Sequence, residues 1–253
     1  MSALPLNPGR LAALGRCELT LLVRNRAALS VALAMPALTV FVLRSTLSGD
    51  TAGAVAEATL TGGIGMVLLL VVYMNLVSAY VARREELVLK RLRTGEANDL
   101  EILAGTALPA AVIALGQIAL LAVAGAAALD APMPAEPVLL VAAVLAAVPL
   151  LAGMAALTSV FTRNVESGGL TTLPLLLVTM IGSGLFVPPD RLPGVAASVC
   201  ELLPLSGVMA LVRAGWSGGA EAYDLLGAAL TTLAWVMITV FAVQKWFRWE
   251  PRR

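Results

Sequence analysis

Apolar runs separated by short polar connections dominate the chain, centred near residues 27–43, 60–81, 102–129, 138–161, 170–187 and 224–243. A helix rises 1.5 Å per residue, so a hydrocarbon core of ~30 Å takes ~20 apolar residues, and each run is close enough to that length to be predicted as a transmembrane helix. The first is the shortest and contains Pro36. The third is long enough to tilt or to begin among the headgroups, with Pro109 kinking its first half. The expected fold class is therefore an all-α membrane protein of six transmembrane helices, forming one transmembrane domain over residues 1–253.

Three connections carry patterns of their own. "LNPGRLAALGRCELTLLVRNR" offers Asn7 as an N-cap and Pro8 at the first helical position, and its alternation of Leu with Arg suits a helix lying at the membrane interface over residues 1–26. An ordinary charged flank is the alternative. In the last connection, 188–223, "LPGVAASVCELLP" and "LSGVMALVRAGW" are too short to span and are bounded by Pro and Gly. They are read as a re-entrant helical hairpin, with a loop folded on the bundle as the alternative. "RREELVLKRLRTG", from Arg83 to Gly95, packs both signs of charge between two apolar runs. As a helix it pairs Glu86 with Lys90 at i, i+4, sets Val88 and Leu89 beside Leu92, and ends at Thr94 and Gly95. A topology signal needs only scattered cations, so an ordered apolar ridge among charges points to a partner protein; a solvated loop is the alternative.

Charge orients the bundle. Fourteen of the Lys and Arg residues fall in the N-terminal arm, the second and fourth connections and the C-terminal tail, against Arg44, Arg191 and Arg213 on the other side. Positive connections stay inside, so both termini are expected in the cytoplasm. Cys17 and Cys200 then lie on opposite sides, and no disulfide is expected. The first residues lack an apolar segment followed by a small-residue cleavage site and read as retained sequence. A mean hydropathy of +0.91 with 13% charged residues is that of a membrane protein. The cations are spread between apolar runs, which gives no surface for nucleic acid.

Several chemistries are disfavoured. There is no histidine, the usual general base and metal ligand, and no catalytic or metal-binding residue is assigned. No Asp, Glu, Lys or Arg stands in the middle of a run, whereas ion-coupled transporters keep such residues as relays. No G-x-x-x-x-G-K-[ST] is present, so the chain has no P-loop for a nucleotide. Asn75, Ser78, Gln117, Thr158 and Ser183 are candidates for interhelical hydrogen bonds or for lining a path. The glycines of "TGGIGM" (Gly62, Gly63, Gly65) and "IGSG" (Gly182, Gly184) mark close helix packing or subunit contact.

With these residues in view, the sequence resembles the ABC-2 type permeases, membrane subunits of bacterial export pumps. Members carry a coupling helix of the form E-R-G-T-L-x-R-L between spans two and three. In "EELVLKRLRTGEA", Glu85, Leu89, Arg91 and Leu92 match, Lys90 fills the free position, and Glu86-Leu87-Val88 stand where the family has Arg-Gly-Thr. The external pattern of Pro, apolar helix, L-P-L and a later Arg resembles Pro193, Leu203-Pro204-Leu205 and Arg213. The resemblance implies an exporter resting on two copies of a separate ABC ATPase, which would bind ATP and Mg while this chain binds no cofactor. It also implies a second, identical or different permease subunit and a bacterial plasma membrane. Glu85, Glu86, Leu89, Lys90, Arg91 and Leu92 would couple to the ATPase. Gly62, Gly63, Gly65, Asn75, Gly182 and Gly184 would lie along the path or the subunit interface, and Pro193, Pro204 and Arg213 would belong to the external segment. The apolar interior favours an amphiphilic drug-, antibiotic- or lipid-like substrate; the alternatives are polysaccharide or glycolipid export and a non-transporting membrane scaffold.

Overall fold

A computed structural model of the protein describes residues 52–93, 98–129, 131–185, 193–247 and 249, together with Gly9, Arg16 and Thr20. The expected first span, 27–43, lies outside the described residues, as does most of the interfacial helix expected over 1–26. The three residues described there are helical, and the Thr20 hydroxyl donates to the Arg16 carbonyl at 2.7 Å.

All regular structure among the described residues is helical. The second expected span is one continuous rod of three pieces: α1 (Ala52–Val67), a π-helical segment (Leu68–Met74) and α2 (Asn75–Glu85). The wider π turn sets Tyr73 against the fourth span, where its hydroxyl shares a hydrogen bond with Thr158 Oγ1 at 3.1 Å. A short helix, α3 (Val88–Arg93), follows. Next come α4 (Asp99–Leu129) and α5 (Pro137–Phe161), the third and fourth expected spans. Glu101, in the first turn of α4, accepts from the Asn98 N–H at 3.0 Å, which is half of a capping box. Proline opens α5, where its missing N–H costs no hydrogen bond.

The fifth expected span is shorter than its apolar run. α6 (Gly168–Gly182) ends with Ser183 as C-cap and Gly184 at φ 73°, a left-handed position that glycine takes without strain. Its 15 residues cover roughly 22 Å, less than the hydrocarbon thickness. Then come α7 (Gly194–Glu201) and α8 (Ser206–Ser217), which meet at 93°, and the last span, α9 (Ala222–Trp246). Among the described residues, four rods have the length and apolarity of membrane spans: Val55–Glu85, α4, α5 and α9.

The core forms around α5, which packs against α8, α9, α4, α6, α2 and the π segment. Small residues let these helices approach, as in other membrane bundles where apolar burial alone does not draw helices together. At Gly215 of α8 an added Cβ would stand 2.8 Å from the Leu140 backbone nitrogen of α5. At Gly207 it would stand 2.5 Å from the Ala228 carbonyl oxygen of α9. Outward faces are apolar, with Leu170 and Leu177 on α6 and Leu226, Leu230, Leu233, Met237 and Phe241 on α9 all exposed, as suits contact with lipid.

Candidate functional site

The charged segment after the second span is not the single helix over Arg83–Arg93 that its spacing predicts. α2 ends at Glu85, Glu86 is its C-cap, and Leu87 turns the chain with φ 59° before α3 begins at Val88. The Leu87 N–H returns to the Arg84 carbonyl at 3.2 Å, one of the two hydrogen bonds of a Schellman ending. The Leu87 carbonyl then accepts from the Arg91 N–H at 3.0 Å and starts the next helix. Left-handed backbone costs a branched L-residue about 1–2 kcal/mol, and glycine usually takes this position.

This corner redistributes the expected coupling residues. Glu86 is the C-cap of α2 and Lys90 lies in α3, so the two do not share one continuous helix. Leu89 is fully buried and Leu92 half-buried, so the apolar ridge fastens α3 to the chain, chiefly to α2 and α4, instead of facing outward. Among the described side chains of the segment, those of Glu85, Glu86, Leu87 and Arg91 are exposed. Leu87 is an addition that the sequence pattern did not mark.

Two neighbouring arginines anchor the corner on different sides. Arg83 donates to Thr106 Oγ1 of α4 at 2.9 Å. Arg84, only 1% exposed, donates to the Ser159 and Thr162 carbonyls at the C-terminal end of α5, at 2.7 and 2.6 Å. The buried residues of α2 are Leu76, Val77, Tyr80, Val81 and Arg84, a single helical stripe that ends in a cation. Tyr80 donates to the Leu103 carbonyl at 3.1 Å, and the Phe247 ring meets it edge-on at 6.3 Å.

At the opposite end of α6, the hairpin of α7 and α8 is fastened in a different way. Arg213 donates to the Ser183 carbonyl at 3.0 Å, and the Ser206 hydroxyl lies within reach of both the Gly182 and Cys200 carbonyls. Trp235 Nε1 donates to the Leu202 carbonyl at 2.8 Å, and the Ser217 hydroxyl donates to the Glu57 carboxylate of α1. Pro193 stands exposed at the N-cap of α7, and Pro204 is buried in the bend between the two helices.

The glycines marked for a path or an interface divide into two sets. Gly63 faces Leu121 of α4, Gly65 faces Leu185 and Met209, and Gly182 faces Leu203, all within this chain. Gly62 meets open space, and Asn75 is exposed on the same rod. Of the polar residues marked within spans, Thr158 makes an interhelical bond, to Tyr73. A separate apolar cleft of about 430 Å³ opens between α4, α5 and α9. Its walls include Leu103, Ala107, Pro149, Ala152 and Val243, together with Tyr80 of α2 and Glu101 of the first turn of α4.

Comparison with known proteins gives one family. The family model described as ABC-2 type transporter matches residues 10–216, which takes in the described bundle from α1 to all but the last residue of α8. No curated protein matches the chain.

Proposed function

Since the chain belongs to the ABC-2 type transporter family, we propose that it is a permease subunit which moves an amphiphilic, drug-, antibiotic- or lipid-like substrate outward. It is a multi-pass membrane protein and the transport subunit of an ABC transporter, a family that works with an ABC ATPase partner. In this reading two ATPase copies bind ATP and Mg, and a second permease subunit, identical or different, completes the pore in a bacterial plasma membrane. The corner at Leu87 faces the cytoplasm, as do both termini.

The observation that carries the reading is the corner itself. A span ends in a fixed left-handed turn that exposes Glu85, Glu86, Leu87 and Arg91 while Arg83, Arg84 and Leu89 fasten it to the neighbouring α4 and α5. Such a projection can be pushed by a docked protein, and the push reaches the spans because the projection is not a free loop. Leu92 supports it from the half-buried side, and Lys90 belongs to the same helix. Gly62 and Asn75 give the outward face of the second span for the path or the subunit contact, with Gly63, Gly65 and Gly182 setting the packing behind it and Gly184 making the turn after α6. Pro193, Pro204 and Arg213 shape the external segment.

The cleft beside α4, α5 and α9 supports this substrate class, since its volume is in the ~300–1,000 Å³ range of small-molecule sites and its walls are almost wholly apolar. Among the described residues of its lining Tyr80 is the one aromatic, which offers little to a sugar chain and favours amphiphile over polysaccharide export. The decisive experiment reverses the exposed charges. Glu86→Lys with Arg91→Glu is expected to leave the protein inserted in the membrane while the ATPase no longer co-purifies. Unchanged co-purification and unchanged stimulation of ATP hydrolysis would remove the corner from the interface.

A further inference from the structure

Arg84 counts among the cations that orient the bundle, yet it does not behave as a topology signal. Arg91 and Arg163, counted with it, are exposed, whereas Arg84 is 1% exposed. Burying a guanidinium is costly unless oriented acceptors replace its water. Here they are carbonyl oxygens at the C-terminal end of α5, where unsatisfied C=O groups and the helix macrodipole concentrate partial negative charge. The planar fork of Arg holds two carbonyls at once, so the contact fixes orientation as well as distance. A lysine would supply charge without that geometry.

From these acceptors the polar contacts run onward. Thr162, the C-cap of α5, shares a hydrogen bond with Thr171 Oγ1 of α6 at 2.7 Å. Its own hydroxyl also reaches the Thr158 carbonyl at 3.0 Å, and Thr158 Oγ1 meets Tyr73 of the π segment. The last turn of α2, the end of α5 and the first turn of α6 are therefore tied through one buried residue. Arg84 stands three residues before the left-handed turn that leads into α3.

We propose that Arg84 is the positioning residue through which displacement of the α3 corner is delivered to the α5 terminus and, by way of Thr162 and Thr171, to α6. This rests on the reading of the corner as the ATPase contact. A contact made only of apolar side chains could slip as the corner moves. The fork cannot leave its two carbonyls without exposing a charge to a dry interior, so α2 and α5 move together.

The test is hydrogen–deuterium exchange on the permease co-purified with its ATPase, with and without ATP and vanadate. In the native complex, trapping is expected to change exchange in peptides 86–93, 162–171 and 168–182. Arg84→Lys is expected to keep the ATPase bound and keep the response at 86–93, while the responses at 162–171 and 168–182 fall by about threefold or more. General loosening would instead raise exchange in both nucleotide states alike. Thr171→Val, which leaves Arg84 and its carbonyls in place, is expected to keep the response at 162–171 and reduce only that at 168–182. Full responses at 162–171 and 168–182 in Arg84→Lys would overturn the role of Arg84 and leave the corner reading standing. No nucleotide response at 86–93 in the native complex would overturn both.

Discussion

Arginines at the two ends of α6 illustrate two ways of fastening a membrane helix. Arg84 donates to carbonyls at the C-terminal end of α5, beside the point where α6 begins, and Arg213 donates to Ser183, the C-cap of α6 at its other end. Both use cations where helix carbonyls need donors. The settings differ. Arg84 makes two short bonds while almost completely buried, whereas Arg213 makes its bond from a half-buried position in a hairpin also held by Ser206, Trp235 and close glycine contacts. The corner end is held by directed, charge-assisted bonds, and the hairpin end mainly by shape and several neutral bonds. The proposed role of the corner, to transmit a push, needs the first kind.

The comparison breaks most readily at the arginines themselves. Hydrogen bonds to a charged donor contribute about 1.5–3 kcal/mol each, and carbonyls left unpaired in a dry site keep their desolvation cost. Arg84→Met removes two such bonds and is expected to destabilise the protein by roughly 3–5 kcal/mol. Arg213→Met removes one, from a half-buried position, and is expected to cost roughly 1 kcal/mol. Thermal unfolding of both variants in the same detergent checks this. Equal losses would mean that the two ends are held alike.

A second experiment sharpens the claim about shape. Gly215→Val would drive its Cβ toward the backbone of Leu140, which cannot yield without moving α5. Gly182→Val meets only the side chain of Leu203, whose Cδ1 can move away by a change of rotamer while its Cβ would stay 3.0 Å from the new Cβ. Overpacking costs typically about 1–3 kcal/mol, so Gly215→Val is expected near the top of that range and Gly182→Val near the bottom. The same unfolding measurement ranks them, and the reverse order would show that α8 is not held by close backbone approach.

What could be read from the sequence differs along the same division. Apolar runs of hydrocarbon length flanked by charges mark Val55–Glu85, α4, α5 and α9 because the bilayer imposes that length. α6 stops short of its run because Ser183 and Gly184 turn the chain while the hydropathy is still high, and hydropathy alone carries no record of backbone direction. Arg84 was legible. Leu76, Tyr80 and Arg84 recur every four residues on the face that buries Val77 and Val81, so helical phase alone places the cation inside. Its count as a topology residue concealed that phase. Gly207 and Gly215 were not legible as contacts, because only the placement of α5 and α9 tells which glycine meets a neighbouring backbone.

The break at Leu87 was the least legible feature, and it yields the smallest and most discriminating prediction. Helix-forming residues and the Glu86–Lys90 spacing favour a continuous helix, and a leucine gives no local sign of a left-handed turn. The turn persists because tertiary contacts hold both its sides: Arg84 fixes the end of α2, and Leu89 is buried where α3 packs. If so, the strain at Leu87 is relieved by glycine and worsened by a β-branched residue, which tolerates left-handed backbone poorly. Leu87→Gly is expected to match or exceed the native stability by up to about 1 kcal/mol, the relief being partly offset by the greater freedom of glycine in the unfolded chain. Leu87→Val is expected to lose about 1 kcal/mol. Both can be read from unfolding in detergent. The opposite order, with valine tolerated and glycine destabilising, would mean that α2 and α3 form one helix in solution and that the corner end is not pre-set by its anchors.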